Sequence, residues 1–367
     1  MKVRYSYLKQ QFSNCDDLWR DLKIFVPTGD FTLGKPLKKF EKSFAKLIGT
    51  KYAVGVNSGT DAIKLSLKCL GVGYGDEVIT AANTFVATVG AIMEIGAKPI
   101  FVDCNDQFCI NEKLIEKKIT KKTKAILPVH FTGYMSDMIS INKLGKKYKI
   151  PVVEDACQSI LGSINGKKAG TWGSFGAFSL HPLKNINVWS DGGVVTTNSY
   201  KYYKNLLLLR NHGLIDRDTV KIAGYNSRLD TIQAVVGNWL LPRAVKIANQ
   251  RIKNAMYYDK NFSKIKEISV PKRIKSEKTV FHLYIVFAKK RDKLLKYCVE
   301  RGIEAKIHYP KPMYLQRAVS FLKHKKGDFP TTDQHCKTII SFPCDQHLKK
   351  KEMDYVIKTV RDFYLKN

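Results

Sequence analysis

No stretch of this chain approaches the roughly 18 consecutive apolar residues that a helix needs to cross a bilayer. The N-terminal segment MKVRYSYLKQQFSNCDDLWRDLK is too polar to hold the apolar heart of a signal peptide, so the expectation is a soluble cytoplasmic protein with no membrane partner. Internal repeats, low-complexity tracts and flexible linkers are missing too. The eight cysteines are scattered and include no Cys-x-x-Cys pair, whereas a closed zinc site needs four ligands at short, regular spacings. The nearest approach is His335, Cys336, Cys344 and His347 around the strand-like TIISFPCD. It reads as ordinary reduced, half-buried side chains, and no metal is expected. Acidic residues are scarce, 32 against 63 Lys and Arg, for a formal charge of +31. That excess would attract nucleic acid or another anionic surface. The lysines are nevertheless spread in short groups such as KKITKKTK (117–124), without the interleaved aromatics of a nucleic-acid module. A solvated basic surface, compatible with a phosphorylated substrate and with no specific nucleic acid, is the reading.

What is present is a large apolar complement. With 367 residues and 44% hydrophobic content, the chain exceeds the ~250–300 residues at which single cores stop growing. Between about residues 50 and 240, short apolar runs alternate with helical patterns, as in strands linked by helical crossovers. YAVGV (52–56) reads as a strand and TDAIKLSLKCLGV as an amphipathic helix ending at Gly71. TFVATVGAIMEIG is a helix stopped at Gly96, and KPIFVD, KAILPVH and IPVVEDA are further strands. Their unbroken apolar character suits strands buried on both faces. The helix GYNSRLDTIQAVVGNWLL is expected to run on through RAVKIANQRIKNAMYYDKNF. Shorter elements follow: FHLYIVFA, RDKLLKYCVERGI and KKEMDYVIKTVRDFY. The fold class is α/β, with a large domain over 1–245, including an N-terminal arm, and a smaller C-terminal domain over 246–367.

Candidate chemistry falls at strand ends, where open α/β sheets bind ligands. In NSGTDA, Gly59 permits a tight turn and Thr60 opens a helix whose free amides can hold a phosphate. The same triplet is also an ordinary helix cap. VVEDACQS brings Glu154 and Asp155 to a strand end, where a carboxylate either caps a helix or pairs with a buried cation. Lys184 lies in FSLHPLKNINVWSDGGVVTTN, one of the least charged and most aromatic parts of the chain. Partial desolvation there would lower its pKa and make the amine nucleophilic. Alternatively it is a surface lysine whose stem covers apolar neighbours. Together, a phosphate cradle, a cation-pairing carboxylate and a buried lysine are what pyridoxal phosphate requires.

From GDFTLGKPLKKFEKSFAKLIGTKYAVGVNSGTDAIKLSL to GIEAKIHYPKPMYLQ, the sequence resembles the DegT/StrS family of fold type I sugar aminotransferases. The resemblance implies that Lys184 in SLHPLKN carries pyridoxal 5′-phosphate and serves as general base and acid. It implies that Asp155 pairs with the ring nitrogen, that Gln158 lies near the phenolic oxygen, and that Phe85 in NTFVAT stacks on the ring. Phosphate contacts carry over to Gly59, Thr60 and Ser179. Asn226 in GYNSRLD matches the asparagine that reaches the phosphate from the neighbouring subunit, which implies a homodimer with shared active sites. Ser190 departs from the glycine more usual at its place, which puts the loop path after the lysine in question.

The implied reaction moves an amino group from an amino acid, glutamate first among candidates, to a nucleotide-linked ketosugar for glycan synthesis. The SGTDA form of the phosphate loop favours the third sugar carbon. Arg228, His308 and Tyr309 are the substrate-binding candidates. Two other readings compete: a regulatory or nucleic-acid-binding relative without catalysis, and a sugar dehydratase. Relatives of the dehydratase type replace the lysine with His, so Lys184 argues for transamination.

Overall fold

The computed structural model describes residues 1–366. Its centre is a mostly parallel sheet made of β1 (Tyr52–Val56), β2 (Glu77–Ala81), β3 (Lys98–Val102), β4 (Thr123–Leu127), β5 (Val153–Asp155), β6 (Phe175–Ser179) and β7 (Gly193–Thr197). One ladder has the order β3-β2-β4 and the other β5-β6-β7-β1. Parallel bridges Ile126–Val152 and Val129–Asp155 join β4 to β5 and make the two ladders one sheet. Only β7 runs against the rest, pairing antiparallel with both β6 and β1. The strand YAVGV occupies the residues that its apolar run marks out, and β6 and β7 are buried along their whole length. Helices cover both faces, as unbroken apolar strands require.

The helix Lys35–Ile48 shows how sequence makes one such layer. Pro36 sits in its first turn and Gly49, at φ 94°, ends it in the left-handed region, the conformation that glycine adopts at least cost. Leu37, Phe40, Phe44, Ala45 and Ile48 recur at helical spacing and are buried. Each such large side chain contributes about 1.5–3 kcal/mol by leaving water. Gly237, on the helix Thr231–Leu240, gives Phe40 its place, since a Cβ there would lie 2.6 Å from the Phe40 ring. Glu41, on the same buried face, is paired with Arg210 and accepts the Gly55 amide at 2.7 Å, while Arg210 donates to the Gly55 carbonyl at 2.8 Å. This pair ties the helix to the middle of β1.

One expectation is corrected. The helix after GYNSRLD does not run on unbroken: Thr231–Leu240 gives way to a 3-10 turn, Leu241–Arg243, before the helix Ala244–Phe262. Pro242 lacks the amide that would continue the ladder, and its ring crowds the preceding turn. The second helix packs Ala244, Ile247 and Ala248 into the core under the main sheet. Its later residues Ala255, Tyr258 and Phe262 enter a separate core with Val3, Tyr284, Val286 and Phe342. That second core is built on an antiparallel sheet whose central strand is Tyr284–Ala288. Among the described residues no helix is long and apolar enough to cross a membrane. Nor does any group of three or more His, Cys, Asp or Glu side chains there suit a metal ion.

Candidate active site

The carboxyl ends of β1, β4, β5 and β6 open onto one cavity of about 360 Å³, closed on its far side by Arg251, His282, Lys306, His308 and Tyr309 and by Tyr5 and Ser6 of the N-terminal segment. Larger surface clefts exist, 690 Å³ beside Trp172 and 850 Å³ beside Phe25, but neither reaches these strand ends.

After β1, Ser58 is extended and its side chain accepts the Asp61 amide at 3.0 Å, starting the helix Gly59–Cys69. Gly59 has no room for a side chain: a Cβ would come within 2.6 Å of Ser179 Cβ and 3.0 Å of Cys157 Sγ. The helix N-terminus is thereby pressed against the ends of β5 and β6. Gly193 serves the same closeness from β7, since a Cβ there would lie 2.2 Å from the Ser58 carbonyl oxygen. The Asp-Gly-Gly turn of the sequence therefore ends in a glycine for steric reasons. The result is a helix start with its amides toward the cavity and Ser179 beside it, a geometry that suits a phosphate.

On β5, alternation sends Glu154 and Asp155 to opposite faces. Glu154 is fully buried and its carboxylate accepts the amides of Gly170 (2.8 Å), Trp172 (2.7 Å) and Gly173 (2.8 Å), and lies 3.0 Å from His130 Nε2. The Ser136 amide donates to His130 Nδ1 at 3.1 Å, which leaves the imidazole proton on Nε2, pointed at Glu154. Four donors on one carboxylate fix the loop ahead of β6 against β5. Asp155 faces the cavity: its Oδ2 accepts Thr88 Oγ1 at 2.7 Å and its Oδ1 accepts the Cys157 amide at 3.2 Å. Three residues on, Gln158 Oε1 accepts the Thr132 amide at 2.7 Å, and the side chain also meets Tyr309 at the cavity.

Lys184 follows β6 in a loop held by Leu180 and Gly192 across its base (2.7 Å) and by Asn185 Nδ2 to the Val280 carbonyl (3.2 Å). Burial pushes its ammonium below the ordinary lysine range, opposed by Cys157 and Asp155 beside it. A larger share of neutral, nucleophilic amine follows. In the loop beyond, Ser190 pairs with Val188, and Trp189 takes the positive φ of 72°. Phe85 is 47% exposed, lines the cavity, and lies 5.9 Å from the ring of Tyr309. His308 Nδ1 contacts Ser341 Oγ at 2.8 Å, leaving Nε2 for the cavity. Burial, with Lys306 and Lys184 nearby, lowers His308 to about 4, so it is neutral at physiological pH.

The cavity thus gathers Gly59, Thr60, Phe85, Asp155, Gln158, Ser179, Lys184, His308 and Tyr309. It does not gather Asn226 and Arg228 of the same chain. Asn226 is exposed and bridged to Asn211 through the backbone, and Arg228 donates to Asn211 Oδ1 at 2.8 Å. Their neighbour Ser227 donates to Asp61 Oδ2 at 2.6 Å, so the loop is tied to the first turn of the helix Gly59–Cys69. Sequence reading missed Thr88, Tyr5, Arg251, His282 and Lys306. No local motif marks them, because each reaches the cavity from a distant part of the chain.

A glycine-walled helix start, a carboxylate held from behind and a desolvated lysine fit pyridoxal phosphate, and their convergence at the carboxyl edge of this sheet defines an aminotransferase of the pyridoxal-phosphate class. The chain belongs to the DegT/DnrJ/EryC1/StrS aminotransferase family, which it matches over residues 16–361 and which is pyridoxal-phosphate dependent. It is 36% identical to a pleiotropic regulatory protein of Geobacillus stearothermophilus, covering 99% of both chains. It is 34% identical to the dTDP-3-amino-3,4,6-trideoxy-alpha-D-glucose transaminase of Streptomyces venezuelae, over 92% of this chain and 89% of that one. The crystal structure of DesV from S. venezuelae superimposes with a TM-score of 0.96 at 33% identity, covering 99% of this chain and 98% of the other. NtdA of Bacillus subtilis, solved with its cofactor in the PMP form, gives 0.92 at 29% identity, covering 100% of this chain and 86% of the other.

Proposed function

We propose that this enzyme moves the amino group of glutamate onto the third carbon of a nucleotide-linked ketosugar. The observation that carries the reading is the convergence of Lys184, Asp155 and the Gly59 turn on one cavity. Relatives named as 3-amino-sugar transaminases on dTDP and UDP carriers support the substrate class. Pyridoxal phosphate, when bound, supplies a carbonyl that amines condense with and a ring that accepts electrons from the adjoining carbon. Lys184 Nζ, which burial shifts toward the neutral amine, would anchor the group and carry the proton to and from the reacting carbon. Asp155 would stabilise a positive charge on the ring, its carboxylate fixed by Thr88 at one oxygen and by the Cys157 amide at the other. The amides of Gly59 and Thr60 and the Ser179 hydroxyl would hold its phosphate, and Gln158 and Phe85, which line the same cavity, would hold its ring. Neutral His308 offers Nε2 to the sugar beside Tyr309. The test is a panel of dTDP-, UDP- and GDP-linked ketosugars with glutamate, read by mass spectrometry. An aminated sugar with matching 2-oxoglutarate is expected; water loss without glutamate consumption would instead mean a dehydratase.

The same reading includes a homodimer in which Asn226 and Arg228 serve the partner's cavity. Two observations support it: neither residue lines its own cavity, and Trp19, Ile24, Val26, Phe31 and Ile232 are large apolar side chains 40–68% exposed. Apolar surface gathered around the packed helices Asp16–Phe25 and Thr231–Leu240 is what a partner would cover. Lys184→Ala and Asn226→Asp chains, each inactive alone, should regain activity when mixed. Half the dimers would be mixed and one of their two sites intact, giving about a quarter of wild-type turnover. A mixture as inactive as its parents, despite proven subunit exchange, would place Asn226 in service of its own chain.

A further inference from the structure

One wall of the cavity carries a positive charge that the cofactor chemistry does not use. It belongs to the extended segment before Tyr309, where Lys306 is locked to the small sheet by a pair of backbone hydrogen bonds with Ser341, 3.0 and 2.8 Å. In extended backbone, residues two apart share a face, so Lys306 and His308 look toward the same space, and both line the cavity. Lys306 is exposed and its Nζ stands 4.8 Å above the centre of the Tyr5 ring. Glu304, two residues earlier, spends its carboxylate on the Tyr5 amide at 2.8 Å, and among the described residues no carboxylate lies within 4.0 Å of Lys306 Nζ.

The other basic groups on this wall are committed or uncharged. Arg251 donates to the carbonyls of Phe281 (2.9 Å) and His282 (2.8 Å) and to Gln346 Oε1 (3.0 Å), and lies 3.7 Å from Asp345. Burial holds His282 well below the usual histidine range, and His308 is likewise lowered. Among the described residues named on this wall, Lys306 is therefore the cation free to meet an incoming anion.

We propose that Lys306 is a specificity residue whose ammonium holds an oxyanion of the molecule reacting at Lys184: the distal carboxylate of a dicarboxylate donor or a phosphate carried by the sugar. The inference rests on the aminotransferase reading and narrows its substrates to those with a second negative group. A cation at the mouth of a partly dry cavity acts on binding more than on the proton transfer, so its signature is a change in half-saturation rather than in saturated rate.

The test uses cofactor-loaded wild type, Lys306→Gln and Lys306→Arg. Rapid mixing with glutamate and with glutamine compares a distal carboxylate with its neutral isostere, and calorimetric titration with UDP and dTDP probes the phosphate. Lys306→Gln should raise the half-saturating concentration or Kd of one anionic partner about three- to tenfold, as loss of a partly exposed ion pair does, and Lys306→Arg should restore most of it. A loss with glutamate but not glutamine assigns the carboxylate; a loss with UDP or dTDP assigns the phosphate. Constants all within twofold of wild type, or equal losses for glutamate and glutamine with unchanged nucleotide binding, would overturn the proposal. Wild type that converts no amine donor at all would instead defeat the aminotransferase reading on which it stands.

Discussion

Lys184→Ala is expected to abolish turnover, with a loss of roughly 10³-fold or more, since acid–base catalysis alone contributes about 10²–10⁴ and the anchoring amine goes with it. The fold should survive. Lys184 lies in a loop whose path is held by Leu180, Gly192 and Asn185 through backbone and side-chain bonds that do not involve its amine. Removing a charge that burial already disfavours leaves no orphaned partner, because Asp155 keeps its donors from Thr88 and Cys157. Two measurements check this. Borohydride treatment of loaded wild type should fix the cofactor to the peptide containing Lys184, and the variant should show no such mass gain. Its thermal midpoint without cofactor should match that of wild type. Retained turnover would remove the lysine from its role.

Asp155→Asn should keep the cofactor bound yet slow the single turnover of glutamate on the order of 10²-fold, the scale set by losing one electrostatic stabiliser in a dry site. An amide is nearly the same size as the carboxylate. Its oxygen can keep the Cys157 amide, and its nitrogen can face Thr88, whose hydroxyl is able to accept because it already contacts Thr84 at 2.7 Å. What disappears is the negative charge that favours a protonated ring nitrogen. Rapid-mixing rates equal to those of wild type would show that the ring does not depend on this carboxylate.

Much of this was legible in the residues themselves. The strands of the main sheet announce themselves as short, unbroken apolar runs, because burial on both faces leaves no place for polar alternation. Gly59 and Thr60 are readable as a helix start, and Lys184 as an anomaly, because each depends on its immediate neighbours. Where local grammar was overridden by a single residue, as at Pro242, the pattern of apolar positions hid the break, since both helices keep helical spacing on either side.

The remainder lay in distances between parts of the chain far apart in sequence. Thr88 meets Asp155 across 67 positions, and Gly193 is needed because the Ser58 carbonyl passes 2.2 Å from where its Cβ would be. Asn226 and Arg228 lie in a loop that the Ser227–Asp61 bond ties to the start of the helix Gly59–Cys69, and neither lines the cavity of its own chain. Lys306 looked like one of 63 cationic residues until its pairing with Ser341 aimed it at the cavity. The sequence by itself determined most of the succession of strands and helices, the family, and the lysine, carboxylate and glycine turn that meet at the cavity, since those depend on contiguous residues. Only the tertiary structure decided which charges meet, which are spent and which stay free, because that depends on how the sheet, the second core and the N-terminal segment pack against one another.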